Sequence, residues 1–193
     1  MLTSPDPRTA RSRAALITAA TELVDERDVS AISINDICAA AGVSRPTFYQ
    51  HFGDISTVVQ AAAVGRLQEV FDATVALETP GEPAAMLDAG VTRLMHGLAR
   101  HAAFYRRVLE GTSAISAQAM VVDFVADRLL AFVERSGAAD PQRIAFSIRF
   151  LAAGASWLVI EQFGDNPDAD GLDATATRIA RHLAASLIEQ VRA

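Results

Sequence analysis

The 193-residue sequence contains no lysine and a single cysteine, Cys38. One cysteine excludes an internal disulfide framework and any metal site that needs several cysteines. The histidines show no HxxxH or HExxH spacing, so no metal site is expected. Nothing else in the sequence indicates a bound cofactor. The four histidines are scattered along the chain: His51, His96, His101 and His182.

The sequence also has no uninterrupted run of 18 apolar residues, which argues against a transmembrane helix. Its first residues, Met1 to Arg13, are polar and lack the apolar segment of a signal peptide. We therefore expect a cytoplasmic protein.

Positive charge is scarce, since arginine is the only basic residue and the formal net charge is −6. A chain with so little positive charge is expected to bind nucleic acids poorly, because contacts of basic side chains with phosphates supply most non-specific affinity. The charge is unevenly distributed, however. Residues 1–52 hold five arginines and six acidic residues, a net of −1, whereas residues 53–193 hold twelve and seventeen, a net of −5. The acidic excess therefore lies mainly beyond residue 52.

The apolar residues, 51% of the chain, recur mostly at spacings of three and four, and alternation of period two is rare. This pattern predicts an all-α protein of nine helices. Three belong to an N-terminal domain, residues 1–54, and the rest to a C-terminal domain, residues 55–193. The predicted helices cover about 9–27, a short helix after Ser33 that ends near Gly42, another capped by Ser44, then 55–77, 84–100, 102–110, 115–136, 141–163 and 172–192.

The segment 33–54, SINDICAAAGVSRPTFYQHFGD, contains signals for two short helices joined by a tight turn. Ser33 and Asp36 have the spacing of a capping box, with Asp replacing the usual Glu. Gly42 permits positive φ at the corner, and Ser44 caps a second helix with Pro46 in its first turn. Residues 33–52 are thus typical of a helix-turn-helix.

In such a unit the N-terminal residues of the second helix meet base edges in the major groove. Arg45 suits guanine, Gln50 suits adenine, and Thr47 and Pro46 suit a thymine methyl group. The alternative is an ordinary surface turn between two helices of a bundle. The outward row of polar side chains favours DNA. The candidate DNA-binding residues of this segment are Ser44, Arg45, Pro46, Thr47, Tyr49, Gln50 and His51.

The stretch AGVSRPTFYQHF, preceded by ISINDICAA, resembles the N-terminal DNA-binding domain of TetR-family transcriptional regulators, and SRPTFY is similar to EthR-like members. The similarity runs from about Arg13 to Val59. It implies a repressor that binds a palindromic operator as a homodimer, with an effector-binding C-terminal domain. It also implies that Pro46, Thr47, Tyr49 and His51 face the DNA.

One position departs from the family pattern. A lysine that usually contacts phosphate at the start of the fourth helix is replaced by Ile55, and Asp54 precedes it. The carboxylate of Asp54 is expected to cap the helix N-terminus and to repel phosphate. We expect Arg8, Arg11 and Arg13, in the N-terminal arm and first helix, to take over the electrostatic role of this lysine, with Arg11 and Arg13 as the candidate DNA-binding residues.

The C-terminal domain carries most of the large apolar side chains, and these are either plain core or the lining of an effector pocket. Few charges are placed to enter such a pocket, which favours a neutral, largely apolar ligand. The candidate pocket residues are Phe71, Met95, Leu98, Phe104, Met120, Phe124, Phe146, Phe150 and Trp157.

The last two helices are candidates for a four-helix dimer interface, because small residues in the eighth permit close approach and the ninth has an apolar stripe. The alternative is that both stripes pack inward. The candidate interface residues are Ala153, Trp157, Leu183, Leu187 and Val191.

Two alternatives belong to other classes of function. A helical small-molecule-binding module that has lost DNA binding would agree with Ile55 and the acidic balance. An enzyme lacks support, because the sequence shows no metal spacing, no phosphate loop and no nucleophile elbow. Cys38 is better explained as a small core residue than as a nucleophile, so no catalytic residue is assigned.

Overall fold

The computed structural model describes residues 7–76, 81–111, 114–135, 141–164 and 169–192, and within these ranges all regular structure is helical. The all-α prediction is therefore confirmed. The α-helices are α1 Pro7–Glu26, α2 Ile34–Ala41, α3 Arg45–His51, α4 Ile55–Val75, α5 Pro83–Ala99, α6 Ala102–Gly111, α7 Ala114–Arg135, α8 Pro141–Gly164 and α9 Ala169–Arg192.

The predicted helix boundaries agree with the observed ones to within a few residues. One short element was not predicted, a 3-10 turn at Val29–Ala31 between α1 and α2. Three residues are too few for an apolar repeat to appear in the sequence. Val29 is nevertheless buried, and it joins the core of the N-terminal helices.

Packing divides the chain into two compact units. Unit 1 comprises Met1–Arg66 and Ala103–Ala117, and unit 2 comprises Leu67–Ala102 and Gln118–Ala193. These units do not follow the boundary placed at residue 54, which concerned functional domains and stays a prediction. Helix α4 contributes to both units, and α6 belongs largely to unit 1.

The core of unit 1 forms around the fully buried side chains of Leu16, Ile37 and Phe48. Helix α6 adds Phe104 and Val108 to this core. Arg66 of α4 donates two hydrogen bonds to Asp25, each of 2.6 Å, and its guanidinium lies 4.2 Å from the centre of the Phe104 ring. The helices that flank the predicted helix-turn-helix therefore share one continuous core with it.

Unit 2 is built mainly from α5, α7, α8 and α9. One cluster of buried side chains includes Val133, Ile148 and Leu187, and a smaller one contains Met95 and Leu172. Helices α5 and α9 pack along each other, and His96 bonds Asp173 between them at 2.7 Å.

Helix α8 is apolar on more than one side. Its segment Ile144–Gln162 has a mean hydropathy of 1.5 over 19 residues, enough in length and composition to cross a membrane. The segment is not the uninterrupted apolar run that the sequence lacks, because the average over the window tolerates Arg149 and Glu161. A single segment of this kind is a weak indication of a membrane span. Only 22% of it is buried.

Candidate nucleic-acid interface and ligand cavity

Helix α2 begins and ends with the local features that the sequence predicts. The Ser33 hydroxyl accepts from the Asp36 N–H at 3.2 Å, and the Asp36 carboxylate accepts from the Ser33 N–H at 2.9 Å. The Ser33 hydroxyl also donates to the Asp36 carboxylate at 2.7 Å, and this bond, followed by the one from the Ser33 N–H, lowers the pKa of Asp36. Gly42 ends the helix with φ 64° and ψ 31°, a left-handed conformation that side chains disfavour. The capping box and the glycine corner are both confirmed.

Helix α3 is fixed from its inner side by two phenylalanines. Phe48 is 0% exposed and Phe52 is 3% exposed, and the centres of their rings lie 6.0 Å apart. At the start of the helix, the Ser44 hydroxyl accepts from the Thr47 N–H at 3.4 Å. Because the inner side and the N-terminus of α3 are held in place, the outer side of the helix faces solvent in a fixed orientation.

Most of the predicted DNA-binding residues lie on that outer side. Tyr49 is 51% exposed, and Arg45 and Gln50 are exposed beside it. The Arg45 guanidinium donates to the Asn35 side-chain oxygen at 2.9 Å and to the Tyr49 hydroxyl at 3.4 Å. Asn35 of α2 was not predicted. It lies ten residues before Arg45, too far apart for a helical repeat to relate the two.

The other predicted residues lie where α1 meets α3. His51 is half-buried, and its Nε2 lies 2.9 Å from the Ser12 hydroxyl. The guanidinium of Arg13 lies 5.3 Å from the centre of the Phe52 ring, and Arg11 Nε donates to the Pro7 carbonyl at 3.2 Å. Unit 1 therefore holds all nine candidate DNA-binding residues, although His51 is engaged with Ser12 and is not freely available.

A carboxylate, that of Asp54, immediately precedes α4, whose first residue, Ile55, stands where the family pattern has a lysine. Asp54 Oδ1 accepts from both the N–H and the hydroxyl of Thr57, each at 2.8 Å. The backbone and then the side-chain hydrogen bond of Thr57 lower the pKa of Asp54, which favours the ionised carboxylate. Ile55 packs against the unit 1 core. The predicted helix cap at Asp54 is confirmed.

Unit 2 encloses a cavity of about 150 Å³, lined by residues of α4, α5, α7, α8 and α9. Four predicted pocket residues line it: Phe71, Met95, Leu98 and Phe124. The rings of Phe71 and Phe124 meet edge to face, with centres 6.0 Å apart. Leu183, which was assigned to the dimer interface, lines this cavity too.

The other five predicted pocket residues do not line the cavity. Phe104 is buried in the core of unit 1, and Met120 is half-buried elsewhere on α7. Phe146, Phe150 and Trp157 are 81%, 71% and 55% exposed. Helical spacing placed these side chains on faces of α8, but it could not tell which face meets the interior.

The predicted dimer residues also require correction. Leu183 and Leu187 are buried within unit 2, so for them the inward-packing alternative is the right one. Ala153 is half-buried, and Trp157 is exposed on α8. The side chain of Val191 lies outside those that the structure describes.

Four polar residues that line the cavity were not predicted from the sequence: Thr74, Arg128, Arg135 and Ser156. The Arg128 guanidinium lies 3.6 Å from the centre of the Phe124 ring, and it donates to the side-chain oxygen of Gln68. Ser156 is 2% exposed. The apolar residues four positions to either side of Arg128, Phe124 and Phe132, are the signal that could have indicated an inward arginine.

Comparison with known proteins agrees with this geometry. Residues 16–62 match the family model described as bacterial regulatory proteins, tetR family. The chain is 27% identical over 138 residues to the HTH-type transcriptional regulator EthR of Mycolicibacterium smegmatis, and the match covers 64% of this chain. It spans only 62% of that relative's length.

Solved structures share the fold over nearly the whole chain. The TetR-family repressor AlkX from Dietzia sp. strain DQ12-45-1b has a TM-score of 0.63 at 22% identity, covering 98% of both chains. RolR in complex with resorcinol has a TM-score of 0.67 at 22% identity, covering 95% of this chain and 94% of that one. A TetR regulator from Rhodococcus sp. RHA1 has a TM-score of 0.69 at 14% identity, covering 93% and 98%.

An N-terminal helix-turn-helix carried by an all-α chain is the arrangement found in a class of DNA-binding transcriptional regulators. The match of residues 16–62 to the family model and the similarity to EthR support a TetR-family transcriptional regulator, and the solved structures show that the fold is shared. Proteins of this family are not enzymes.

Proposed function

We propose that this chain is a cytoplasmic repressor that binds a palindromic operator as a homodimer and releases it when a small, largely apolar effector occupies the cavity of unit 2. In this proposal residues 1–54 contact DNA, and residues 55–193 bind the effector and the second copy. The observation that carries it is α3, a short helix held by Phe48 and Phe52 whose outer side presents Arg45, Tyr49 and Gln50.

For DNA binding, the outer side of α3 offers donors and acceptors that match base edges. Gln50 is exposed and suits adenine, and Arg45 suits guanine. The bond between Arg45 and Asn35 keeps the guanidinium at the surface in the absence of DNA. On binding, Arg45 exchanges this neutral partner for a base or a phosphate, while Tyr49 and Ser44 donate to phosphates.

For the homodimer, α8 exposes a stripe of large apolar side chains. Phe146, Phe150 and Trp157 follow spacings of four and seven, so they share one side of the helix with Ala153. A contiguous exposed apolar surface typically marks an interaction site. A second copy of the chain covers this stripe, and the two-fold symmetry of the dimer matches that of a palindromic operator.

For the effector, the cavity has the size and character that a small apolar molecule needs. A cavity of about 150 Å³ is large enough for a molecule such as benzene. Among the proteins of the same fold, RolR has been solved with resorcinol, a single-ring compound, and AlkX is implicated in biodegradation of n-alkanes. These examples favour a ligand of modest size with a hydrocarbon framework.

Helix α4 is the proposed link between effector and operator. Its first half packs Val58 and Val59 into the core of unit 1, whereas Leu67 and Phe71 line the cavity. The effector lowers operator affinity only to the extent that it prefers the conformation that binds DNA less well.

The test is a mobility-shift assay with the DNA that flanks the chain's own gene. Specific retardation of one upstream fragment, resistant to unlabelled competitor of unrelated sequence, is the expected result. If no upstream fragment is retarded even at low salt, the proposal of a DNA-binding repressor is overturned. A chain that binds apolar ligands under those conditions would then be the binding module without DNA affinity.

Removing the two α1 arginines together, Arg11→Ala with Arg13→Ala, is expected to weaken binding to all DNA sequences alike. Each phosphate contact contributes about 0.9 to the slope of log affinity against log salt concentration, so the slope should fall by about 2. Fluorescence anisotropy at several salt concentrations measures it, and an unchanged slope refutes the role of these arginines.

Two single variants serve as controls for this experiment. Arg181→Ala removes an exposed positive charge from α9 in unit 2 and should leave the slope unchanged. Asp54→Asn removes the negative charge at the start of α4 yet keeps a good helix cap. It should therefore raise affinity for all sequences, the opposite sign to the arginine variant.

A further inference from the structure

Arg128 lines the cavity of unit 2, and no carboxylate in the described part of the chain neutralises its charge directly. Arg128 donates to two neutral oxygens only, the Phe124 carbonyl at 3.4 Å and the Gln68 side-chain oxygen. A guanidinium has five N–H donors. Three of them therefore remain for a ligand.

The surroundings of Arg128 orient it towards an anion. Gln68 donates its amide N–H to Asp72 at 2.6 Å, which turns the amide oxygen towards the guanidinium. The guanidinium carbon of Arg128 lies 3.6 Å from the centre of the Phe124 ring and 5.5 Å from the centre of the Phe71 ring, and these rings hold the guanidinium in the cavity wall. The described lining residues include Arg128 and Arg135 but no acidic side chain.

A second polar group in the lining has no partner of its own. Ser156 is 2% exposed, and its hydroxyl oxygen has no hydrogen-bond partner among the described residues. A buried hydroxyl left in this state costs free energy, which a ligand with a hydrogen-bonding group would recover. Thr74, another polar residue of the lining, already donates to the Val70 carbonyl.

From these observations we infer that the effector is a single-ring aromatic carboxylate bearing a hydroxyl group. The carboxylate binds Arg128, the ring occupies the apolar space beside Phe71 and Phe124, and the hydroxyl bonds Ser156. The volume of about 150 Å³ limits the body of the ligand to about one ring. This inference rests on the proposed function, in which the cavity is the effector site, and it replaces the expected neutral ligand with an acid.

The test compares benzoate with its neutral counterpart benzamide by isothermal titration calorimetry on the full chain. Benzoate should bind at least about tenfold more tightly, because only the anion forms charge-assisted hydrogen bonds with Arg128. Equal affinities, or no binding of benzoate, overturn the inference.

Two variants at Arg128 assign the preference to its side chain. Arg128→Met keeps the length without the charge and should weaken benzoate binding by about 10- to 100-fold, with benzamide affinity little changed. Arg128→Lys keeps the charge without the planar pair of donors and should give an intermediate loss. Circular dichroism establishes that each variant is folded, and unchanged benzoate affinity in folded Arg128→Met contradicts the inference.

Ser156→Ala tests the second contact with the three hydroxybenzoate isomers. At least one isomer should bind the unmodified chain more tightly than benzoate does, and this advantage should disappear in the variant while benzoate affinity stays unchanged. If no isomer exceeds benzoate, or the advantage survives, the hydroxyl contact is wrong.

The inference and the proposed function can fail separately. Operator release is measured with the same acids in the anisotropy assay. An acid that binds through Arg128 without releasing the operator contradicts the repressor proposal and leaves the ligand assignment intact. If neutral molecules release the operator and no acid binds, the assignment of an acidic ligand is contradicted and the repressor proposal is kept.

Discussion

Replacing Phe48 with alanine is expected to abolish operator binding and to destabilise unit 1 more than any other single truncation in α3. Phe48 is 0% exposed, and it contacts the core between α1 and α2. Removing a buried phenylalanine side chain costs about 3–5 kcal/mol in the free energy of unfolding, because the cavity left behind closes only partly. Without this anchor, α3 loses the fixed orientation that its outer side needs.

Urea unfolding followed by far-ultraviolet circular dichroism measures the loss of stability, and anisotropy with the operator measures the loss of binding. The matched control is Tyr49→Ala on the neighbouring exposed position. It should weaken operator binding while the unfolding midpoint changes little. A Phe48→Ala variant that unfolds at the same urea concentration as the unmodified chain would contradict the role given to this side chain.

The helix-turn-helix could be predicted from the sequence because its determinants are local. The capping box of Ser33 and Asp36 and the cap of Ser44 each join residues three apart. The left-handed corner needs only Gly42 itself. Such features depend on backbone geometry within one turn of helix, so they can be identified without knowledge of the rest of the fold.

The faces of α8 and α9 could not be assigned from the sequence, because both helices carry apolar residues on more than one side. Ile148 and Ala152 of α8 are buried while Phe150 between them is exposed. Periodicity finds the faces, but only the packing of α5, α7 and α9 determines which one is interior. The same limit explains why Leu183 and Leu187 were placed at a dimer interface.

The sequence shows where charged residues lie along the chain, but it does not show which side chains they contact in the fold. The count placed the acidic excess beyond residue 52, but it could not reveal that Arg45 bonds Asn35 or that Arg128 lies against Phe124. The first contact joins α2 to α3, and the second lies within α7, on the face that lines the cavity of unit 2. The net charge of −6 therefore says little about either site, since each depends on one arginine and its neighbours.

Introducing a charge into the exposed apolar stripe of α8 is expected to dissociate the proposed dimer. Trp157 is 55% exposed on one side of α8, in line with Phe150 and Phe146. Tryptophan at the centre of an interface commonly contributes at least about 2 kcal/mol, and Trp157→Glu also buries an unpaired carboxylate. The dimer dissociation constant should rise by at least about 100-fold.

Analytical ultracentrifugation across a range of protein concentrations measures this change. Ala119→Glu adds the same charge at an exposed position of α7 and should leave the dimer intact. Because each half of a palindromic operator needs its own α3, Trp157→Glu should also weaken operator binding even though unit 1 is untouched. A Trp157→Glu variant that sediments as a dimer at the same concentrations would exclude this stripe as the interface.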